Sequence, residues 1–190
     1  ARAVKAALRS QDRVRILDIG GGCGDPNIAL ARALGRDSDR LDYLVIENEQ
    51  NCQLGRSTFP RASFATAIPD ERFDIAVVIG TLQYIPDWRG LLATLKKRSD
   101  MIQIARSPLR LSGRSFFTRQ AICPALGDSA GRKVGTADVI VIGLSELLDE
   151  MNGWLIIENR FVADYSKHFG RLPAECRNVA YRSMAWAKSR

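Results

Sequence analysis

Residues 16–24, Ile-Leu-Asp-Ile-Gly-Gly-Gly-Cys-Gly, constrain this chain more than any other stretch. Val14, Ile16, Leu17 and Ile19 form an apolar run carrying one acid, Asp18, and Gly20, Gly21, Gly22 and Gly24 follow it. Residues 27–34 are then apolar at helical spacing. The periodicity predicts a strand, a glycine turn and a helix in that order. Glycine suits backbone that takes a positive φ or lies against a ligand with no Cβ between them. A turn that opens a helix also presents unpaired N–H groups and the positive end of the helix dipole. The stretch is therefore expected to cradle a ligand.

Register narrows the choice of ligand. The dinucleotide pattern G-x-G-x-x-G fails, because the sixth position is Asp25 counted from Gly20 and Asn27 counted from Gly22. No Gly-Lys-Ser/Thr follows, so the phosphate-loop pattern fails as well. What remains is Asp18-x-Gly20-x-Gly22-x-Gly24. A second acid, Glu47, ends the next apolar run, Leu-Asp-Tyr-Leu-Val-Ile over 41–46. A carboxylate offers two oxygens at fixed spacing, and the carboxyl edge of an open α/β sheet is where such folds bind ligands.

Strands are expected at 14–19, 41–46, 62–65, 73–79, 101–105, 154–158 and 179–187. Helices are expected at 3–8, 27–34 and 49–55, at 87–97 with Asp87 as N-cap, and at 145–151 with Ser145 as N-cap. Strands alternating with helices predict an α/β fold. We read it as a doubly wound, mostly parallel, seven-stranded Rossmann-like sheet whose C-terminal strand runs antiparallel. No element is assigned between Ala105 and Ser145. The whole of 1–190 reads as one domain, and the short first helix with a start at Ala1 suggests a truncated N-terminus.

The net charge of +7 is localised. Residues 106–136 hold six basic side chains (Arg106, Arg110, Arg114, Arg119, Arg132, Lys133) and one acid, Asp128, so this segment carries +5 and everything else +2. A basic insertion of about 30 residues without periodicity, where connections typically run ~4–6, reads as a lid or binding loop. Arginine forks match phosphate, sulfate and carboxylate. With Phe116 and Phe117 as its only aromatics, the segment is a poor nucleic-acid platform. The four cysteines are widely spaced without a C-x-x-C pair, which argues against zinc and against a disulfide framework. No apolar run approaches a membrane span. A cytoplasmic protein that binds no metal is expected.

In its acid and G-x-G-x-G motif (Asp18, Gly20, Gly22, Gly24) and in Glu47 at the end of strand two, the chain resembles the class I S-adenosylmethionine-dependent methyltransferases. The resemblance implies S-adenosylmethionine as cofactor, held by Asp18, Gly20, Gly21, Gly22, Gly24, Glu47 and Asn48. It adds Ala65 and Thr66 at the end of strand three, and Gly80 and Thr81 at the end of strand four. Two positions depart from the family's habit: Asn48 stands where an apolar residue often meets adenine, and Gln83 where a histidine is common. More narrowly, Arg106-Ser-Pro108, Phe117-Thr-Arg-Gln120 and Pro124 resemble a bacterial methyltransferase family associated with surface-polysaccharide gene clusters. That implies a small anionic acceptor of sugar or nucleotide-sugar type. Two other readings stay open: a non-catalytic S-adenosylmethionine-binding partner domain, and, disfavoured by the residues, an RNA methyltransferase or an NAD-dependent oxidoreductase.

Methyl transfer from a sulfonium is an in-line displacement that needs alignment more than acid–base help, and positioning alone supplies ~7–11 kcal/mol. If a base assists, Tyr84 and the lone histidine, His168, are the candidates. Arg106, Arg110, Arg114 and Arg119 are the candidate substrate contacts.

Overall fold

The computed structural model describes residues 1–122, 135–164 and 172–189. Its first half alternates helix and strand: α1 (Arg2–Ala7), β1 (Val14–Ile19), α2 (Asp25–Leu34), β2 (Leu41–Ile46), α3 (Glu49–Thr58), β3 (Ser63–Ala65), β4 (Phe73–Ile79) and α4 (Trp88–Arg98). Then come β5 (Ser99–Arg110), β6 (Phe116–Ile122), β7 (Gly135–Gly143), α5 (Leu144–Glu150), β8 (Trp154–Asp164) and β9 (Val179–Lys188).

β3, β2, β1, β4 and β5 lie side by side and parallel. β9 runs antiparallel against β5, and β8 antiparallel against β9. The central strands read as continuous apolar runs because both faces are covered, as parallel sheets require. One face packs Leu17, Val78, Ile104 and Trp186 under α4 and α5. The other packs Ile16, Tyr43, Val45 and Ile75 under α1, α2 and α3.

The sheet has nine strands among the described residues, not seven. The two extra strands, β6 and β7, lie where no element was expected. β7 contains Val139, Ile140, Val141 and Ile142, all buried, and its residues from Gly135 to Val141 pair antiparallel with the whole of β6. β5 is also far longer than its expected 101–105. Ser99 to Ala105 pair with β4; past the end of β4, Leu109 and Arg110 pair instead with Ile142 and Gly143 of β7. The described part of the basic segment is thus an extension of β5, the strand β6 and the first residues of β7, with β6 and β7 paired as a hairpin beside that extension. Residues 123–134 of it, with Arg132 and Lys133, lie outside the described residues.

The cap of α5 differs from expectation too. Gly143 is the N-cap rather than Ser145, and the helix start is pinned by Glu146, which accepts from the Ser115 N–H at 2.6 Å and bonds the Ser115 hydroxyl. Asp87 does cap α4, accepting from the Gly90 N–H at 3.0 Å. No helix among the described residues is long and apolar enough to cross a membrane.

Candidate functional site

The parallel register brings the carboxyl ends of β1, β2, β3 and β4 into one row, and hydrogen bonds join each end to the next. The Gly20 N–H donates to the Ile46 carbonyl at 2.8 Å, and the Glu47 N–H to the Ala65 carbonyl at 3.0 Å. On the other flank the Thr81 hydroxyl lies 3.1 Å from the Gly20 carbonyl, to which it donates, and the Gly80 N–H donates to the Ala105 carbonyl at 2.8 Å. The cofactor candidates at these strand ends are therefore one continuous structure. Thr66 is exposed just beyond it.

Within the turn the glycines do different work. Gly20 takes φ 68°, and a Cβ there would collide with the Thr81 side chain. A Cβ on Gly21 would collide with the Asp18 carboxylate. Gly22, at φ 59°, has nothing within 4 Å of where a Cβ would stand, so it faces open space. Gly24 is the left-handed N-cap of α2, with Pro26 in the first turn, a place where its missing N–H is no loss. Gly20 and Gly21 are thus needed for close packing, and Gly22 for its positive φ, with open space beside it.

The two acids split likewise. Asp18 is fully buried. Its Oδ2 accepts from the Tyr43 hydroxyl at 2.6 Å, and its Oδ1 has no hydrogen-bond partner. Burial pushes its carboxyl up to about 6, against the pull of the Tyr43 hydrogen bond and with a further push from the Glu47 charge. Burial also raises the Tyr43 phenol, as does the charge of Asp18. Asp18 sits beneath the turn and shapes it from below.

Glu47 is half-buried at the rim. Its Oε1 accepts from the Gly22 N–H at 3.2 Å; its Oε2 accepts from the Asn48 N–H at 2.9 Å and the Asn48 side-chain amide at 3.0 Å. A carboxylate has about four lone-pair sites, so acceptor capacity is left for a ligand. Asn48, the departure from an apolar residue, has a local reason: its Oδ1 accepts from the Asn51 N–H at 3.0 Å and caps α3.

Beside this row lies a cleft of about 470 Å³, lined by Ile79, Gly80, Gln83, Tyr84, Arg106, Gln120, Val162, Ala163 and Tyr181. That volume is within the ~300–1,000 Å³ of small-molecule pockets. The Tyr84 hydroxyl donates to Gln120 Oε1 at 3.0 Å, so the β6–β7 hairpin forms one wall. The Gln83 amide donates to the Gly80 carbonyl at 2.8 Å, while its buried Oε1 has no partner.

Of the four candidate arginines, Arg106 alone lines the cleft. It sits at the irregularity between Ala105 and Ser107 in the β5–β9 register, with φ 56°, a value L-residues seldom adopt. Its side chain is exposed and has no hydrogen bond or ion pair among the described residues. Arg110 instead donates to the Arg114 carbonyl at 2.9 Å and the Glu175 carbonyl at 2.7 Å, and stacks on Phe116. Arg119 pairs with Asp138 at 2.9 Å on the hairpin. Arg114 is exposed at the turn before β6. His168 lies outside the described residues. Sequence reasoning missed Tyr43, Val162 and Tyr181, none of which carries a local motif, and it singled out Gln120 within Phe117-Thr-Arg-Gln120 without assigning it to the site.

No protein-family model matches the sequence, and no curated protein is similar to it. Solved structures are similar. One is an O-methyltransferase from a trans-AT PKS multienzyme of Brevibacillus brevis, in complex with S-adenosyl-L-homocysteine. It is 14% identical, at a TM-score of 0.64 over 99% of this chain and 71% of that one. Another is an S-adenosylmethionine-dependent methyltransferase from Mesorhizobium loti, 15% identical, at a TM-score of 0.60 over 98% of both chains. The N-terminal domain of EvdMO1, in the presence of SAH and D-fucose, gives 15% identity and a TM-score of 0.62 over 99% of this chain and 82% of that one. These likenesses extend over nearly the whole chain, which therefore has the fold of the S-adenosylmethionine-dependent methyltransferases.

Proposed function

We propose that this chain is a methyltransferase that uses S-adenosylmethionine and acts on a small, anionic acceptor of sugar or nucleotide-sugar type. The observation that carries the reading is the unbroken row from Glu47 through Gly22 and Gly20 to Thr81 and Gly80, which opens directly onto the Arg106 cleft. The row fits the cofactor: Gly22 leaves backbone open, Glu47 retains acceptor capacity for paired hydroxyls, and Gly80 and Thr81 form the far end. When bound, S-adenosylmethionine supplies a methyl group on a positively charged sulfur.

In this reading the protein's part is placement. Glu47 braces the turn through Gly22 and holds one end of the cofactor. Thr81 fixes the distance between the turn and the end of β4. Arg106 holds the negative group of the acceptor, and Tyr84, oriented by Gln120, borders the acceptor atom. The hairpin is the lid over that acceptor. A cytoplasmic setting fits such a substrate.

The test is a thermal shift with S-adenosylmethionine, S-adenosylhomocysteine and NAD in separate arms. At 100 times Kd a ligand stabilises by ~2.7 kcal/mol, worth roughly 5–10 °C for a domain of this size. The reading expects a shift with both sulfur ligands and none with NAD. A shift with NAD alone would overturn it. Binding without S-adenosylhomocysteine release, across a panel of acceptors, would favour the non-catalytic partner domain.

A further inference from the structure

Five of the eight large apolar side chains exposed among the described residues belong to one strand: Leu155, Ile156, Ile157, Phe161 and Val162 of β8. Each is about half open, between 46% and 57%. β8 pairs with β9 on one side, and no described residue pairs with its other edge. Natural edge strands are blunted by shortness, proline or charge because an open apolar edge recruits another strand. β8 runs for 11 residues without proline. Its centre, Glu158-Asn159-Arg160, is charged in a way that selects a partner.

We propose that β8 is a dimer edge, on which a second copy of this chain pairs its own β8 antiparallel about a two-fold axis at Asn159. A dyad normal to a pleated ladder must pass where a residue faces itself, since only residues of matching pleat can stand opposite. With Asn159 facing Asn159 of the second copy, Glu158 faces Arg160, a pair that occurs twice, within the regular stretch that lies between the two bulges of β8. A dyad at Glu158 or at Arg160 would set like charges directly opposite, which is destabilising. Of the dyads centred on Glu158, Asn159 or Arg160, the one at Asn159 alone sets opposite charges against each other.

Glu158 Oε1 accepts from the Ser183 hydroxyl at 2.6 Å; its carboxylate also feels the charge of the Ala1 ammonium, and it makes no further hydrogen bond among the described residues. Arg160 is exposed and forms no ion pair there. Asn159 is held by Arg182, which donates to its Oδ1 at 2.8 Å, so the dyad position is fixed in each copy. The two irregularities of β8 against β9, at Ile157 and Val162, flank this centre and push those side chains outward. Half-exposed side chains of this size leave on the order of 400–500 Å² of apolar surface per copy, so two copies reach the ~1,000 Å² at which specific interfaces begin. The result is an isologous pair, the commonest arrangement of soluble oligomers.

Light scattering on a sizing column, over a wide range of protein concentration, should find a dimer that dissociates on dilution. Glu158→Arg alone, or Arg160→Glu alone, should weaken association roughly tenfold by setting two like-charge pairs opposite. The double reversal Glu158→Arg/Arg160→Glu should restore it, because the pair re-forms with its signs exchanged; a folding defect would not be rescued in this way. Facing residues in an antiparallel ladder have Cα atoms ~4.5–5.5 Å apart, inside the ~4.4–6.8 Å a disulfide spans. Asn159→Cys should therefore cross-link two copies on oxidation where the unaltered chain does not. A monomer at every concentration would overturn the proposal, as would a dimer indifferent to both single reversals.

Discussion

Tyr43, from the middle of β2, donates a 2.6 Å hydrogen bond to Asp18, the last acid of β1, beneath the glycine turn. In the parallel register Tyr43 stands opposite Ile16, two residues before Asp18, so its phenol reaches along the strand to meet the carboxylate. The contact fills the space below a turn whose upper side is open at Gly22.

That buried carboxyl should make stability depend on pH. Its folded value, about 6, lies above the ordinary 3.8, so the folded chain binds the proton more tightly than the unfolded one. The contribution is fully present below the ordinary value and is lost as pH rises through about 6. At ~1.4 kcal/mol per pH unit the loss is roughly 3 kcal/mol. Denaturant unfolding of the unliganded chain between pH 4 and pH 7 should show it. Asp18→Asn should flatten that slope and leave the chain roughly 1–3 kcal/mol more stable than the parent at pH 7. A slope that survives the substitution would assign the titration to another group.

Gly20 and Gly22 should respond unequally to the same change. Gly20→Ala drives a methyl group into Thr81 at a positive φ, and should destabilise by about 2–4 kcal/mol. Gly22→Ala meets no neighbour. It should lose only the ~1 kcal/mol of an L-residue at φ 59°, yet weaken S-adenosylmethionine binding more than Gly20→Ala does in the molecules that stay folded. Urea unfolding paired with calorimetric titration separates the two effects.

Removing the Glu47 side chain should weaken S-adenosylmethionine binding by about 1.5–3 kcal/mol, the scale of hydrogen bonds to a charged group. The Gly22 N–H loses its acceptor as well, so part of that loss reflects a looser turn. Glu47→Gln keeps an oxygen for Gly22 and should lose less. Equal affinity across parent, Gln and Ala, measured by calorimetry, would place Glu47 outside the site.

Arg106 should separate stability from turnover. Its backbone takes φ 56°, a strain of order 1–2 kcal/mol for an L-residue. Arg106→Gly relieves that strain and partly offsets it with added freedom in the unfolded chain, so the variant should be no less stable than the parent. Its turnover of an anionic acceptor should fall while its affinity for S-adenosylmethionine stays unchanged. Loss of both would mean the arginine supports the cradle rather than the acceptor.

The cradle was legible because its signals are local. An acid and three spaced glycines stand within seven residues, and a second acid interrupts an apolar run, so no knowledge of distant pairing is needed. Tyr43 was not legible, since its role exists only once β2 is set beside β1. The β6–β7 hairpin was hidden for another reason. Its two strands are separated by a long connection rather than a two-residue turn, and Val139–Val141 and their neighbour Ile142 form a continuous apolar run that periodicity alone does not assign to strand or helix. Arg106 was singled out for its charge. What sets it apart from Arg110 and Arg119 is the register of β5 against β9, which no stretch of sequence displays.

β5 serves two owners. Its first half is a plank of the parallel sheet beside β4; its second half is a mast to which the hairpin is tied by two register pairs, Leu109 with Ile142 and Arg110 with Gly143. Yet the hairpin is no detachable ornament, because Ile140 and Ile142 of β7 lie in the same buried cluster as Ile104 of β5 and Trp88 of α4. A change in its apolar side chains therefore reaches the sheet that carries the strand ends at Ile46 and Ile79.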